Sequence, residues 1–433
     1  MVERILEKAK KRVDSAEVFR TETEITEISF EAGVLKNAER KSLSGAALRV
    51  VHEGRLGFSS TTDPDRIDDM IEHARSGARF GKEAAFYFPG AVEPAGKAPY
   101  DPAIEAYSPQ QAVEEGERAV EALRETCPNG LSYVTITTAV SKVRIANTAG
   151  LDVSYKTTAF SHSVVLNIVE GDSILWIEDG GEFGTLTLKT DEYVAGIADL
   201  SKKSERKAPK VSGDVPVVFT SRQLPNLLQA IEFGVDGLRM VKGESPLIGR
   251  EGDRVLGSVT LTDDPFIMGA PGSRPFDDEG VPSQRNMLFD NGVFRSFLFD
   301  LDTAAAAGRT TTSSAHRSSL SSPSIGTSNL VINAGDSSFD DMISGIDRGI
   351  VVYGVIGGGQ SNLIAGDFAV NVMLGFLVDR GEIAGRLLDT MVSGNVYDAF
   401  GDVSLMSAKL TQTGTLFAPD ILFPSLSVSS GSP

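Results

Sequence analysis

TSRQLPNLLQAIEFGVDGLRMVK, residues 220–242, is the stretch on which the reading of this chain turns. Leu224, Leu227, Leu228, Ile231, Val235 and Leu238 recur at intervals of three and four, which places them on one face of a helix expected from Ser221 to Met240. A continuous apolar face predicts a helix held in a core or an interface. Downstream the sequence is mainly strands and turns, with another helix predicted at Phe339, Met342, Ile343 and Ile346, capped by Asp336 or Ser337. Between the two, residues 310–328 read TTTSSAHRSSLSSPSIGTS, in which twelve of nineteen are Ser or Thr. That composition cannot build a core of its own, so the loop is expected to be mobile or held against a partner. Upstream, residues 202–214, KKSERKAPKVSGD, are polar, locally basic and broken by proline, as in a linker.

Two segments precede that linker. In the first, Val2, Ile5, Leu6, Ala9 and Val13 form a helical stripe, strands follow around Ile28 and Phe30, and residues 45–60 read as a hairpin turning at Glu53 and Gly54. Asp63 and Pro64 then open a helix with Ile67, Met70, Ile71, Ala74 and Ala78 on its buried face. After a Gly/Pro-rich connection over 88–102, Ser108 and Pro109 start a helix, strands follow with turns at Ala149-Gly150 and Gly171-Asp172, and a helix over 191–201 closes the segment. The recurring units hint at a distant duplication, although no repeat of fixed period is visible. The expected organisation is α+β, with α/β segments at 1–95 and 103–205 followed by a β-rich domain at 213–433.

Charge and cysteine content narrow the functions available. A formal net charge of -18 repels polyanions and counts against direct binding to nucleic acid or an anionic membrane face. The lone cysteine, Cys127, permits neither an intrachain disulfide nor a cysteine-based metal cluster, which points to a reducing cytoplasm. Nothing in the N-terminal helix resembles a signal h-region, and no segment stays apolar for the roughly 18 residues of a membrane span. The expectation is a cytoplasmic protein.

A series of short Gly, Asp and Asn motifs runs through the third segment: Phe276-Asp277-Asp278-Glu279-Gly280, Asn291-Gly292, Ser328-Asn329-Leu330, Gly357-Gly358-Gly359, Gly366-Asp367-Phe368, Arg380-Gly381-Glu382 and Ser393-Gly394-Asn395. Each alone reads as a turn, because Gly and Asn supply the positive φ that tight turns need. In this order and spacing, the sequence resembles the TldD/PmbA family, also called the TldD/TldE family and once described as modulators of DNA gyrase. The likeness extends over nearly the whole chain and is densest from Phe276 to Asn395. It implies a C-terminal domain dominated by a curved antiparallel β-sheet, in a cytoplasmic two-subunit metallopeptidase that trims or degrades small unfolded peptides. In the catalytic TldD-type subunit, a helix bearing HExxxH binds zinc together with a later cysteine, and the glutamate is suited to general-base duty.

Placing Pro225 and Gly234 on the matching residues of that helix puts the two histidine positions at Ala230 and Val235 and the glutamate position at Ile231. A shift of one residue restores nothing, since no histidine occurs between His162 and His316 and no cysteine follows Cys127. This departure fits the PmbA/TldE branch of the family, which lacks the zinc motif and pairs with a TldD-type subunit. The resemblance therefore implies no cofactor in this chain, with zinc only in a TldD-like partner. Its expected partners are that subunit in a heterodimer, or itself in a homodimer, and an unfolded peptide held as an added strand at a sheet edge. A non-enzymatic homodimeric scaffold and a gyrase-associated regulator are the alternatives.

Candidate loop residues for substrate or partner are Arg274, Phe276, Asp277, Asp278, Glu279, Gly280, Gly366 and Asp367. The three acids lack the alternate ligand spacing of a calcium loop and read as a solvated acidic turn, with Arg274 placed to pair with one of them. His316 is expected exposed, His52 and His73 at the surface, and His162 satisfied locally in a strand. Gly357-Gly358-Gly359 followed by Gln360 and Ser361 lacks the Gly-Lys-Ser/Thr ending of a phosphate loop. Trp176, the single tryptophan, reads as core packing.

Overall fold

The computed structural model describes residues 1–171, 173–357 and 362–431. Asp172 of the Gly171-Asp172 turn, and Gly358, Gly359, Gln360 and Ser361 of the glycine run, lie outside the described residues. Helices α1 (Val2–Ala9) and α2 (Ile67–Ala78) flank strands β1 (Ser15–Glu31), β2 (Val34–His52) and β3 (Arg55–Thr61). The same order recurs in α3 (Pro109–Thr126), β4 (Leu131–Asn147), β5 (Asp152–Glu170), β6 (Ser173–Phe183) and α4 (Thr190–Ser204). The two units join in one six-stranded antiparallel sheet of order β3-β2-β1-β4-β5-β6, with β1 and β4 paired from Glu17↔Asn147 to Phe30↔Val134. What the sequence hinted at as a duplication is thus present as a repeated helix, three-strand, helix arrangement about the β1–β4 seam.

Local chemistry explains these boundaries. Glu53 (φ 50°) and Gly54 (φ 73°) both take left-handed backbone, as a two-residue turn that matches the strand twist requires. Ser108 accepts from Gln111 N–H at 3.2 Å while the Gln111 side chain accepts from Ser108 N–H at 2.9 Å, a reciprocal cap that starts α3. One apolar cluster forms beneath α1 and α2, around Ile5, Leu48, Met70 and Ile71, and another beneath α3 and α4, around Ala119, Leu123, Val164 and Ile197.

The third segment contributes β7 (Gly213–Phe219), α5 (Leu224–Val235), β8 (Arg348–Gly357), β9 (Asp367–Asp379), β10 (Glu382–Arg386), β11 (Thr390–Asn395), α6 (Val396–Gly401) and β12 (Ile421–Ser430). Pairing runs β8-β7-β12-β11-β9-β10, and β8 pairs with β9 as well, so five strands close on themselves. Only β7 and β8 run parallel in that ring. The expected curved, mainly antiparallel sheet is therefore the observed one. Side chains alternate across it: Val217, Phe219, Ile350 and Val352 pack with α5, while Val218, Val351 and Leu422 face Met342 and Ile343 of the helix Phe339–Ser344. Ser338 caps that helix, rather than Asp336 or Ser337, because its hydroxyl accepts from Asp341 N–H at 3.0 Å and its N–H donates to the Asp341 carboxylate at 3.2 Å.

The helix read from residue 221 to 240 is not continuous. It ends at Val235, Asp236 is extended, and a second helix runs Gly237–Val241. Val235 O accepts from Leu298 N–H at 2.8 Å and Gly237 N–H donates to Leu298 O at 2.8 Å, so a neighbouring chain segment takes the groups that would have continued the helix. Asp236 then caps the second helix, its carboxylate accepting from Leu238 and Arg239 N–H. Leu238 consequently leaves the apolar stripe. Asp236→Ala is expected to lower stability by about 1 kcal/mol, the usual cost of a lost N-cap. Urea denaturation checks this, and an unchanged midpoint would contradict it.

Candidate functional site

Helix α5 buries the three positions that matter most. Ala230, Ile231 and Val235 are 2%, 1% and 1% exposed and belong to the main core of the third segment. Tyr397 on α6 reinforces the packing by donating its hydroxyl to Ala230 O at 3.1 Å. It also explains Gly234, where an added Cβ would come within 2.3 Å of that hydroxyl. Hydrocarbon side chains at these positions offer neither a metal donor nor a proton acceptor, so the residues present do not fit a zinc ion on this helix. Among the described residues no three His, Cys, Asp or Glu side chains cluster as a ligand set.

Sequence reasoning passed over one acid on this helix. Glu232 lies on its half-buried side, within 3.4 Å of the Thr327 hydroxyl, and burial raises its carboxyl above the ordinary range. Nearby Asp263 is buried and accepts from the Ser328 N–H at 2.7 Å and hydroxyl at 2.5 Å. These contacts anchor the end of the Ser/Thr-rich loop. An acid inside an apolar stretch was the available signal for Glu232.

The acidic motif at 276–280 is not the solvated turn its composition suggested. Asp277 and Glu279 are fully buried, Asp278 nearly so, and Phe276 packs edge-on against Tyr155 with centroids 5.2 Å apart. Asp277 folds the turn on itself, one carboxylate oxygen accepting from Glu279 and Val281 N–H at 3.0 Å each. Gly280 (φ 78°) completes it, with Leu151 in the space a side chain would need.

Glu279 reaches across to the first sheet, where Arg49 donates to it at 2.5 Å and to Glu17 at 3.0 Å. Arg317 donates to Glu17 at 2.5 Å and, through Nε, to Asp278 O at 3.0 Å. Arg274 lies 3.8 Å from Asp278. Burial drives the Asp277 and Glu279 carboxyls upward, Glu279 against the pull of Arg49. The arginines also stack on rings, Arg49 on Phe86 and Phe88 and Arg317 on Phe19.

This network ties the first sheet to the third segment, and it rewrites the Ser/Thr-rich loop. Arg317 N–H donates to the Asp278 carboxylate at 2.7 Å and Ala315 N–H to Asp277 at 3.2 Å, so the loop lies across the acidic turn of its own chain. Charged hydrogen bonds hold it where an apolar core could not. His316 between them is exposed, as expected, 3.7 Å from Asp278. Glu17 and Arg49 went unnoticed in the sequence, although each is a charge within an apolar strand, AEVF and ALRVV.

Gly366 and Asp367 form a separate group around Asn395. The Asn395 side chain donates to Ala365 O at 2.7 Å and to the Asp367 carboxylate at 2.9 Å, and accepts from Tyr397 N–H to cap α6. Gly366 (φ 82°) lies against the Tyr397 ring. These two motifs brace α6 against α5.

A cavity of about 740 Å³ opens where β6 and α4 meet the ring of strands, lined in part by His162, Trp176, Asp179, Arg222 and Tyr353. Trp176 is half-buried on its wall, 5.7 Å from the Tyr133 ring, and not in the core. His162 is 0% exposed and neither ring nitrogen has a hydrogen-bond partner, so it is not satisfied as expected. Burial lowers its pKa to about 4. The unfolded chain takes this proton near the ordinary 6.5 and the folded chain only near 4, so stability is full above about 6.5 and falls as the pH drops through that window. The loss is expected to approach about 3 kcal/mol at the acid end. His162→Phe should remove that part of the acid sensitivity in melts between pH 4 and 7; an unchanged slope would contradict it.

With this geometry in place, kinship is clear. Three consecutive family models match: PmbA/TldA metallopeptidase domain 1 at residues 16–78, the central domain at 102–208 and the C-terminal domain at 212–430. The chain belongs to the PmbA/TldD metallopeptidase family. It is 27% identical over 413 residues to a metalloprotease of Methanothermobacter thermautotrophicus, covering 90% of this chain and 87% of that one. It is 24% identical over 443 residues to the metalloprotease PmbA of Escherichia coli O157:H7, covering 98% and 94%. The crystal structure of TldE from Thermococcus kodakarensis superposes with a TM-score of 0.91 at 26% identity over 99% of both chains.

Proposed function

We propose that this chain is the metal-free, PmbA/TldE-type subunit of a two-subunit metallopeptidase acting on small unfolded peptides in the cytoplasm. Zinc and its general base come from a separate TldD-type chain carrying HExxxH, and this chain closes the space around the peptide. The observation that carries the reading is the burial of Ala230, Ile231 and Val235 in a packed core, where the family's catalytic helix would present two histidines and a glutamate. Likeness to the T. kodakarensis TldE over the full length supports the same side of the family. The acidic turn and Asn395 then serve the scaffold, holding three segments in register.

The test is to purify the chain alone and with its TldD-type partner and to assay an unstructured peptide with each. Cleavage is expected only when both are present, and chelation should abolish it. Strong chelator-sensitive cleavage by this chain alone would overturn the reading.

A further inference from the structure

The outer edge of β6 borders the 740 Å³ cavity, and β6 has no strand partner on that side among the described residues. Side chains already occupy one end of this edge. Arg222 donates to Gly180 O at 2.8 Å, Asp179 accepts from Gly180 N–H at 2.7 Å, and Gln412 donates to Glu182 O at 2.8 Å. Main-chain groups of residues two apart point the same way along a strand, and β5 and β6 pair without a register shift. Trp176 and Glu178 therefore direct their N–H and C=O to the same edge as Gly180 and Glu182, and both line the cavity.

The walls are mainly acidic. Among the described residues, Glu178, Asp179, Glu182, Glu192, Asp199 and Asp420 line the cavity against Arg222 and Lys409, with Asp179 paired to Arg222. Trp176, Tyr353 and Phe339 add aromatic surface, to which cations are attracted. From the free edge and its charge complementarity, we propose that the cavity takes an extended, basic peptide segment, which adds as a strand beside Trp176–Glu178 and places its cationic side chains among the carboxylates. This deepens the function proposed above and rests on its premise that the protein handles unfolded peptides.

Trp176 is the only tryptophan, so its emission reports on this cavity alone. Three capped hexapeptides serve as probes for the full chain without a partner: alternating Lys and Ser, alternating Glu and Ser, and the Lys/Ser sequence with every backbone amide N-methylated. The Lys/Ser peptide is expected to shift Trp176 emission saturably. The Glu/Ser peptide, and the N-methylated Lys/Ser peptide that cannot donate to the edge, should bind at least about 10-fold more weakly. Glu178→Gln combined with Glu192→Gln should weaken the Lys/Ser peptide by a similar factor. Equal binding of the three probes, or no shift with Lys/Ser, would overturn the proposal. If partner-dependent cleavage persists in that case, the subunit reading stands without this site.

Discussion

Arg317→Ala is expected to cost about 3–5 kcal/mol, the usual penalty for removing one member of a buried ion pair and stranding its partner. Arg317 is the link between the Ser/Thr-rich loop, the Asp278 carbonyl and Glu17 of the first sheet. Its loss leaves Glu17 with Arg49 alone and removes the guanidinium bonds to the Asp278 and Ser321 carbonyls, so that only backbone contacts still hold the loop on the acidic turn. The effect should be visible as a lower thermal midpoint together with new proteolytic cleavage between residues 310 and 328. Arg317→Lys keeps the charge but loses the guanidinium fork, and should fall between the two. A change below about 1 kcal/mol for alanine, with the loop still resistant, would mean that the network does not hold the segments together.

Writing the zinc motif back onto α5, as Ala230→His, Ile231→Glu and Val235→His, is expected to unfold the third segment and not to create a peptidase. The two histidines, larger than the Ala230 and Val235 side chains they replace, cost roughly 1–3 kcal/mol each through strain. Buried polar groups without partners add about 1–3 kcal/mol each. The combined loss is on the order of 5 kcal/mol or more, comparable with the whole stability of an ordinary domain. Circular dichroism melts and soluble yield read this directly. A variant that folds like the parent and takes up zinc would show that the helix face is a dormant site.

Periodicity and motif order made the architecture readable. The stripe on α5, the Glu53-Gly54 turn and the Ser108 cap are local features, and local rules suffice for them. Failures arose where distant chain segments meet. Leu298 ends α5 at Val235 from some sixty residues away, and no pattern within residues 220–242 announces it. The acidic turn looked solvated because Arg49 and Glu17, which pay for its burial, lie in the first sheet and are separated from it by more than two hundred residues. His162 reads as an ordinary strand residue until the fold seals it beneath α3 and α4. Ala230, Ile231 and Val235 were readable from the start, because a side chain without a donor needs no coordinates to be recognised.

With hydrocarbon side chains at Ala230, Ile231 and Val235, the proposed subunit keeps the family's fold and is expected to hold no metal. Elemental analysis of the chain, purified alone without chelators and in the presence of added zinc, tests that most directly. Zinc is expected far below one ion per chain, removed by simple dialysis. One tightly held zinc per folded chain would contradict it.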